Sequence, residues 1–275
     1  MKKIILAVDG TNFSNGAFEF IRRLNEKTRL LLTGIFVPQI DYANLWSYAA
    51  ATSGGASFIP LVEDEENEEV MANIHKFESL CQKNGITYRV HRDFFDFTLP
   101  ELKRESRFAD VMILSSELFY RQIINANQSD YLRHVLHHSE CPVLIVPEKF
   151  RFPDNNILAY DGSPESVFAI KQFAYIFPEL ASNETLLVYA DEDDEKDIPS
   201  KELITELVTQ HYPDLTFDKP RVNPKKYFAT WVEEKKGSLL VSGSFGRSAL
   251  SEAIKKSFVS EVIEDHQLPL FIAHK

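Results

Sequence analysis

Residues 238–243 of this 275-residue chain read Ser-Leu-Leu-Val-Ser-Gly, an apolar run ending on a glycine, with Gly246 and Arg247 close behind. Glycines let backbone N–H groups come close to an anion, and a helix start beyond such a turn favours negative charge. A phosphate is the ligand that suits this chemistry. Further along, Lys256 could add an ammonium and Ser257 a hydroxyl donor. The plainer alternative is that both glycines only permit a tight strand-to-helix turn. A second feature occurs twice, as Asp9-Gly10-Thr11 and Asp161-Gly162-Ser163, each time after an apolar run. Such a carboxylate can accept hydrogen bonds from a ligand or cap the next helix. Both readings stay open for Asp161 and Asp9.

Other groups carry weaker chemistry. The acidic run Asp191–Glu195 would repel a naked triphosphate, or help hold a divalent cation with one. A solvated loop is the ordinary alternative. The acidic stretch 63–69 suits a helix N-terminus, where carboxylates oppose the dipole. His134, His137, His138 and Cys141 invite a zinc reading, and His134 and His138 share a helix face. No second ligand pair with zinc-type spacing accompanies them, so no metal site is expected. Ser115, Ser116 and Ser242 follow apolar runs without an elbow motif, and no catalytic residue can be named.

These residues need elements to hold them, and the chain repeats itself in supplying them. Residues 3–11 match 156–163, residues 109–116 match 237–243, and residues 141–147 match 268–274. Pro142 lies 26 positions after Ser116, and Pro269 lies 26 positions after Gly243. Asp9 to Ser116 spans 107 positions against 82 from Asp161 to Gly243, so the first half carries about 25 extra residues, placed within 38–70. Patterning predicts strands at 3–8, 30–37, 86–91, 110–115 and 143–147, then 156–160, 185–190, 215–219, 238–242 and 269–273. Helices are predicted at 14–27, 65–83, 98–107 and 119–139, then 164–180, 199–211, 224–236 and 249–265. Continuous apolar strands alternating with helices imply an α/β fold. The expected form is two tandem doubly wound parallel-sheet domains, Rossmann-like, at 1–149 and 154–275, joined near Glu148–Pro153. Ligands of such sheets sit at the carboxyl ends of strands, at the topological switch point. Asp9, Ser116, Asp161 and Gly243 fall at those ends.

Over nearly the whole chain, once per half, these residues resemble the universal stress protein family. That family has an Asp after its first strand, and a late loop Gly-x-x-Gly followed, nine residues on, by Gly and Ser/Thr. Gly243, Gly246 and Ser257 match, while Lys256 stands where the family usually has Gly. The first half has Ser116, Phe119, Ser129 and Asp130 at these positions, so its phosphate motif is absent and no ATP is expected there. The resemblance implies ATP in the second half, around Asp161, Gly243, Gly246 and Ser257, with Arg247 adding positive charge; the acidic loop makes weak, magnesium-assisted or absent binding the expectation. The matched spacing predicts pseudo-twofold symmetry, and the resemblance implies that the last strands of the two halves pair across the axis. The implied role is a stress-associated regulatory or binding protein. The alternative is a nucleotide-free interaction scaffold of the same fold, and no base can be named for hydrolysis.

Bulk properties agree with this reading. Hydrophobic content is 44% and charged content 26%, ordinary for a globular chain. A net charge of −11 argues against non-specific nucleic-acid binding. No apolar run approaches the roughly 18–20 residues that span a bilayer. Only two cysteines, Cys81 and Cys141, are present, and a reduced, cytoplasmic protein is the expectation. The segment Asp41–Pro60 carries Tyr42, Trp46, Tyr48 and Phe58 around Ser53-Gly54-Gly55, as a lid, a contact surface or an ordinary packed loop. An intramolecular pseudo-dimer is expected, with homo-oligomers left open.

Overall fold

The computed structural model describes residues 1–9, 12–37, 64–91, 98–115, 139–191, 195–221, 235, 237–243 and 268–273. The strands are β1 (Lys2–Asp9), β2 (Leu30–Val37), β3 (Thr87–His91), β4 (Val111–Ser115) and β5 (Val143–Val146). They continue as β6 (Asn155–Ala159), β7 (Glu184–Val188), β8 (Leu215–Asp218), β9 (Ser238–Ser242) and β10 (Leu270–Ile272). The described helices are α1 (Asn15–Lys27), α2 (Asp64–Lys83), α3 (Thr98–Ser106), α4 (Pro164–Ile176), α5 (Pro178–Ala181) and α6 (Lys201–Thr209). The helices expected at 119–139, 224–236 and 249–265 lie almost wholly outside the described residues.

All ten strands form one sheet, in the order β3-β2-β1-β4-β5-β10-β9-β6-β7-β8. Within each block of five the pairings are parallel, and the two blocks share one internal order read from opposite sides. They meet at β5 and β10, which pair antiparallel with Phe271 opposite Leu144. Every residue of β4, β5, β9 and β10 is buried, whereas the outer strands β3 and β8 are partly exposed. That gradient explains why inner strands are unbroken apolar runs: both of their faces are covered. The central pairing also leaves neither β5 nor β10 as a bare edge.

One helix is divided where a single one is expected. The helix foreseen over 164–180 ends at Ile176, and a separate turn, α5, starts at Pro178. Proline has no N–H to donate and its ring clashes with the preceding turn, so the helix stops at Phe177, whose own N–H closes onto Phe173 O at 2.8 Å. The helix foreseen over 65–83 is present as α2, whose 20 residues against 9 in its counterpart α6 take up part of the extra length of the first half. Residues 38–63, including the aromatic segment, lie outside the described residues.

One hydrophobic cluster runs through both blocks, from Ile4, Phe20, Phe77 and Leu144 to Leu158, Phe173, Leu239 and Phe271. Polar contacts cross the same boundary. Lys2 pairs with Glu179 and places its ammonium 5.4 Å from the Phe177 ring centroid. The connection after β5 is anchored too. Phe150 and Phe152 pack on Phe20, with centroids 5.7 and 5.1 Å away. Glu148 sits on the amino end of α1. Its carboxylate accepts from Ser14 Oγ at 2.8 Å, Gly16 N at 2.9 Å, and Asn15 N and Nδ2 at 3.0 Å. Free N–H groups and the helix dipole both favour an anion there.

Partial burial works against the Glu148 charge, but the bonds from Gly16, Ser14 and Asn15 outweigh it and hold the carboxyl below its ordinary value. A depressed folded-state pKa means the stability is present above the unfolded value and is lost as pH falls through the folded one. Glu148→Gln turns an NH2 group towards donors, and is expected to cost about 1–3 kcal/mol near neutral pH. In urea titrations its deficit against wild type should shrink as pH drops below about 4.5. A deficit independent of pH over that range would show that charge is not what holds the linker.

Candidate functional site

The chain leaves β6 for β7 and β8 on one side and returns to β9 on the other, which makes the β6–β9 boundary a topological switch point. The two strands run parallel with Leu158 opposite Val241. Asp161 and Gly243 follow the carboxyl ends of these two neighbouring strands, at the strand ends where the sequence puts them. Gly246, Arg247, Lys256 and Ser257 lie outside the described residues. So do Gly10, Ser116, Phe119, Ser129, Asp130 and the side chain of Asp9.

Gly243 has a packing role that can be measured. A Cβ built on it would stand 2.6 Å from the carbonyl carbon of Glu165 and from Ser166 N. The strand end presses directly on the first turn of α4, and only glycine permits that approach. Gly243→Ala should therefore destabilise the fold by about 1–3 kcal/mol, with or without nucleotide. Thermal or urea unfolding checks it, and an unchanged midpoint would show that the end of β9 does not press on α4.

Asp161 organises the loop between β6 and α4. Its Oδ1 accepts from Ser163 N at 2.9 Å, and Ser163 Oγ accepts from Ser166 N at 3.1 Å. Ser163 is thus the helix cap, and Asp161 shapes the turn that presents it. Gly162 between them has φ of 80°, a region where a side chain is strained. Asp161 is half-buried.

The neighbouring loop after β7 closes in from the side. The buried Tyr160 donates its hydroxyl to the Pro199 carbonyl at 2.7 Å. Tyr189 donates to Asp191 Oδ2 at 3.1 Å, and Lys196 Nζ reaches the same oxygen at 3.1 Å. Asp191, the first residue of the acidic run, is thus tied into a local network; residues 192–194 lie outside the described residues. Burial pushes the Tyr160 phenol up, and the Asp161 charge adds to it. Tyr189 is pushed up by burial first, then by its bond to Asp191 and by the charges of Asp191 and Asp161, against Lys196. The edge is therefore negative around two neutral phenols. Sequence patterning missed Tyr160 and Pro199, although an aromatic at a strand end followed by Asp-Gly was a visible signal.

The zinc reading can be followed only at Cys141, because His134, His137 and His138 lie outside the described residues. Burial drives the Cys141 thiol up to about 11, against bonds from Ser139 and Met112. A thiol buried in this way is a poor metal ligand. Among the described residues no group of three or more His, Cys, Asp or Glu side chains could hold a metal ion.

At the carboxyl ends of β6 and β9 the described residues thus present a half-buried carboxylate, Asp161, and a glycine, Gly243, shut against α4 on its Cβ side. No protein-family model matches the chain, and no curated protein matches it in sequence. Solved structures do match. A universal stress protein from Archaeoglobus fulgidus DSM 4304 aligns with a TM-score of 0.71 and 17% identity, covering 100% of this chain and 96% of its own. A putative universal stress protein from Pseudomonas aeruginosa UCBPP-PA14 aligns with a TM-score of 0.50 and 11% identity, covering 100% and 93%. The first match spans both five-stranded blocks. The chain therefore has the α/β fold of universal stress proteins. No described helix is long and apolar enough to cross a membrane.

Proposed function

We propose that this chain is a tandem member of the universal stress protein family, built from units 1–149 and 154–275, that binds an adenine nucleotide in its second half as a stress-associated regulator. The observation that carries the reading is the placement of Asp161 and Gly243 just past the carboxyl ends of the adjacent parallel strands β6 and β9, at the switch point. In this reading Asp161 accepts from the sugar hydroxyls, while Gly246, Arg247 and Ser257 complete the phosphate end. Magnesium offsets the negative edge around Asp161 and Asp191. No nucleic acid or membrane partner is needed, and the setting is cytoplasmic.

A nucleotide-free scaffold is the second reading, and one observation favours it. Asp161 and Gly243 already have structural work, in the α4 turn and against the α4 backbone. Isothermal titration with ATP and magnesium separates the two. Asp161→Ala should weaken binding by about tenfold or more, the usual effect of losing a hydrogen bond to a charged group. Gly246→Val should also weaken it, by putting a branched side chain where phosphate approaches. Equal binding by folded wild type and both variants would move the site elsewhere. No binding, together with no nucleotide in native mass spectra of freshly purified protein, would establish the scaffold.

A further inference from the structure

We infer that Glu195–Ser200 is a strap latched over the carboxyl end of β6 by Tyr160, and that its release gates access to Asp161. The gating part rests on the nucleotide reading above; the latch does not. Four features hold the strap down. The Tyr160 hydroxyl donates to Pro199 O at 2.7 Å. The Pro199 ring lies over Gly162, where an added Cβ would come within 2.7 Å of it. Ile198 is buried, and Lys196 is tied to Asp191. The strap thus reaches the two residues on either side of Asp161.

The far end of the strap is strained. Ser200 has φ of 49°, the single non-glycine residue at positive φ among the described residues. It occupies the N-cap position of α6 but makes no side-chain cap bond, although serine is among the best capping residues. With the strap down, Ser200 therefore holds an unfavourable backbone and leaves the α6 amino end without its cap. With the strap released, Ser200 can relax to an extended conformation and cap α6. Latch contacts favour one state, and backbone strain with capping favours the other. That opposition is what a movable cover needs, and such strain persists only where surrounding contacts impose it.

The test compares the full-length wild type with Tyr160→Phe and Ser200→Gly, after confirming by melting that all three are folded. The first variant keeps the ring and loses only the latch bond. Hydrogen exchange of amides in 195–200 should rise on the order of tenfold in Tyr160→Phe. It should fall several-fold in Ser200→Gly, because glycine adopts positive φ without strain. Unchanged exchange in Tyr160→Phe overturns the latch. If only the open strap admits nucleotide, apparent affinity scales with the open fraction. Titration of ATP and magnesium into Tyr160→Phe should then show tighter binding by the same factor as the exchange. A loosened strap with unchanged ATP affinity overturns the gate. If neither protein binds ATP, the nucleotide reading fails and the gate with it, while opposite exchange shifts in the two variants still support the latch.

Discussion

Phe271→Ala should lower the free energy of unfolding by about 3–5 kcal/mol. Phe271 is the middle residue of β10 and is fully buried. Its ring packs against Phe173 and Phe177 with centroids 5.3 and 6.0 Å away, in near edge-to-face geometry. Truncation removes the transfer free energy of the ring and leaves a cavity. The cavity cannot close easily, because β10 is hydrogen-bonded on both sides, to β5 and to β9. The walls also include Phe177, which lies under Lys2 of the other block. A domain is typically stable by about 5–15 kcal/mol, so the loss would be a large share of the whole. Urea unfolding followed by tryptophan fluorescence and circular dichroism measures it. A loss below about 1 kcal/mol would mean that the ring does not sit in a close-packed centre.

The second large effect is expected at Gly16, where two opposing terms decide the sign. Gly16 lies in the first turn of α1, and in an open helix alanine would be favoured over glycine by about 1 kcal/mol. Here an added Cβ would stand 2.3 Å from Pro147 O and 2.6 Å from the Glu148 Cα. Both are backbone atoms that cannot rotate away. The added methyl must push the end of β5 off α1, and it disturbs the Glu148 carboxylate that accepts from Gly16 N. Overpacking of this kind costs about 1–3 kcal/mol and occasionally more, so it outweighs the propensity gain. Gly16→Ala should therefore destabilise the protein. Gly85 is the control: its φ of 62° strains a side chain, but a Cβ there meets nothing within 4 Å. Gly85→Ala should cost only about 1–2 kcal/mol, through backbone strain alone. A stabilised Gly16→Ala would show that the β5 end does not press on α1.

The strands were legible from sequence because each is a short apolar run, and burial on both faces removes any need for alternation. Val111–Ser115 and Ser238–Ser242 fall within a residue of expectation for that reason. Helix α1 was legible because Ser14 caps it and its apolar residues recur at helical spacing. The break at Phe177 was not, because the apolar pattern continues past it although Pro178 stands in plain sight. The matched spacings in the two halves pointed to a repeated strand order, since a duplicated pattern repeats its local preferences. At the site, sequence placed Asp161 and Gly243 at strand ends.

Tertiary structure alone decided what those residues touch. Asp161 turns onto Ser163, Gly243 meets the α4 backbone, and Tyr160 reaches Pro199 across 39 positions. Glu148 finds Gly16 across 132. Strand and helix patterns arise among near neighbours, whose side chains share a face at a fixed period. Contacts at long separation depend on how the sheet twists and how its helices settle, and one sequence contains no local preference that ranks one distant partner above another. Sequence therefore determined the described strands and helices and put Asp161 and Gly243 at strand ends. Packing decided which partners those residues meet and how far each is committed to the fold.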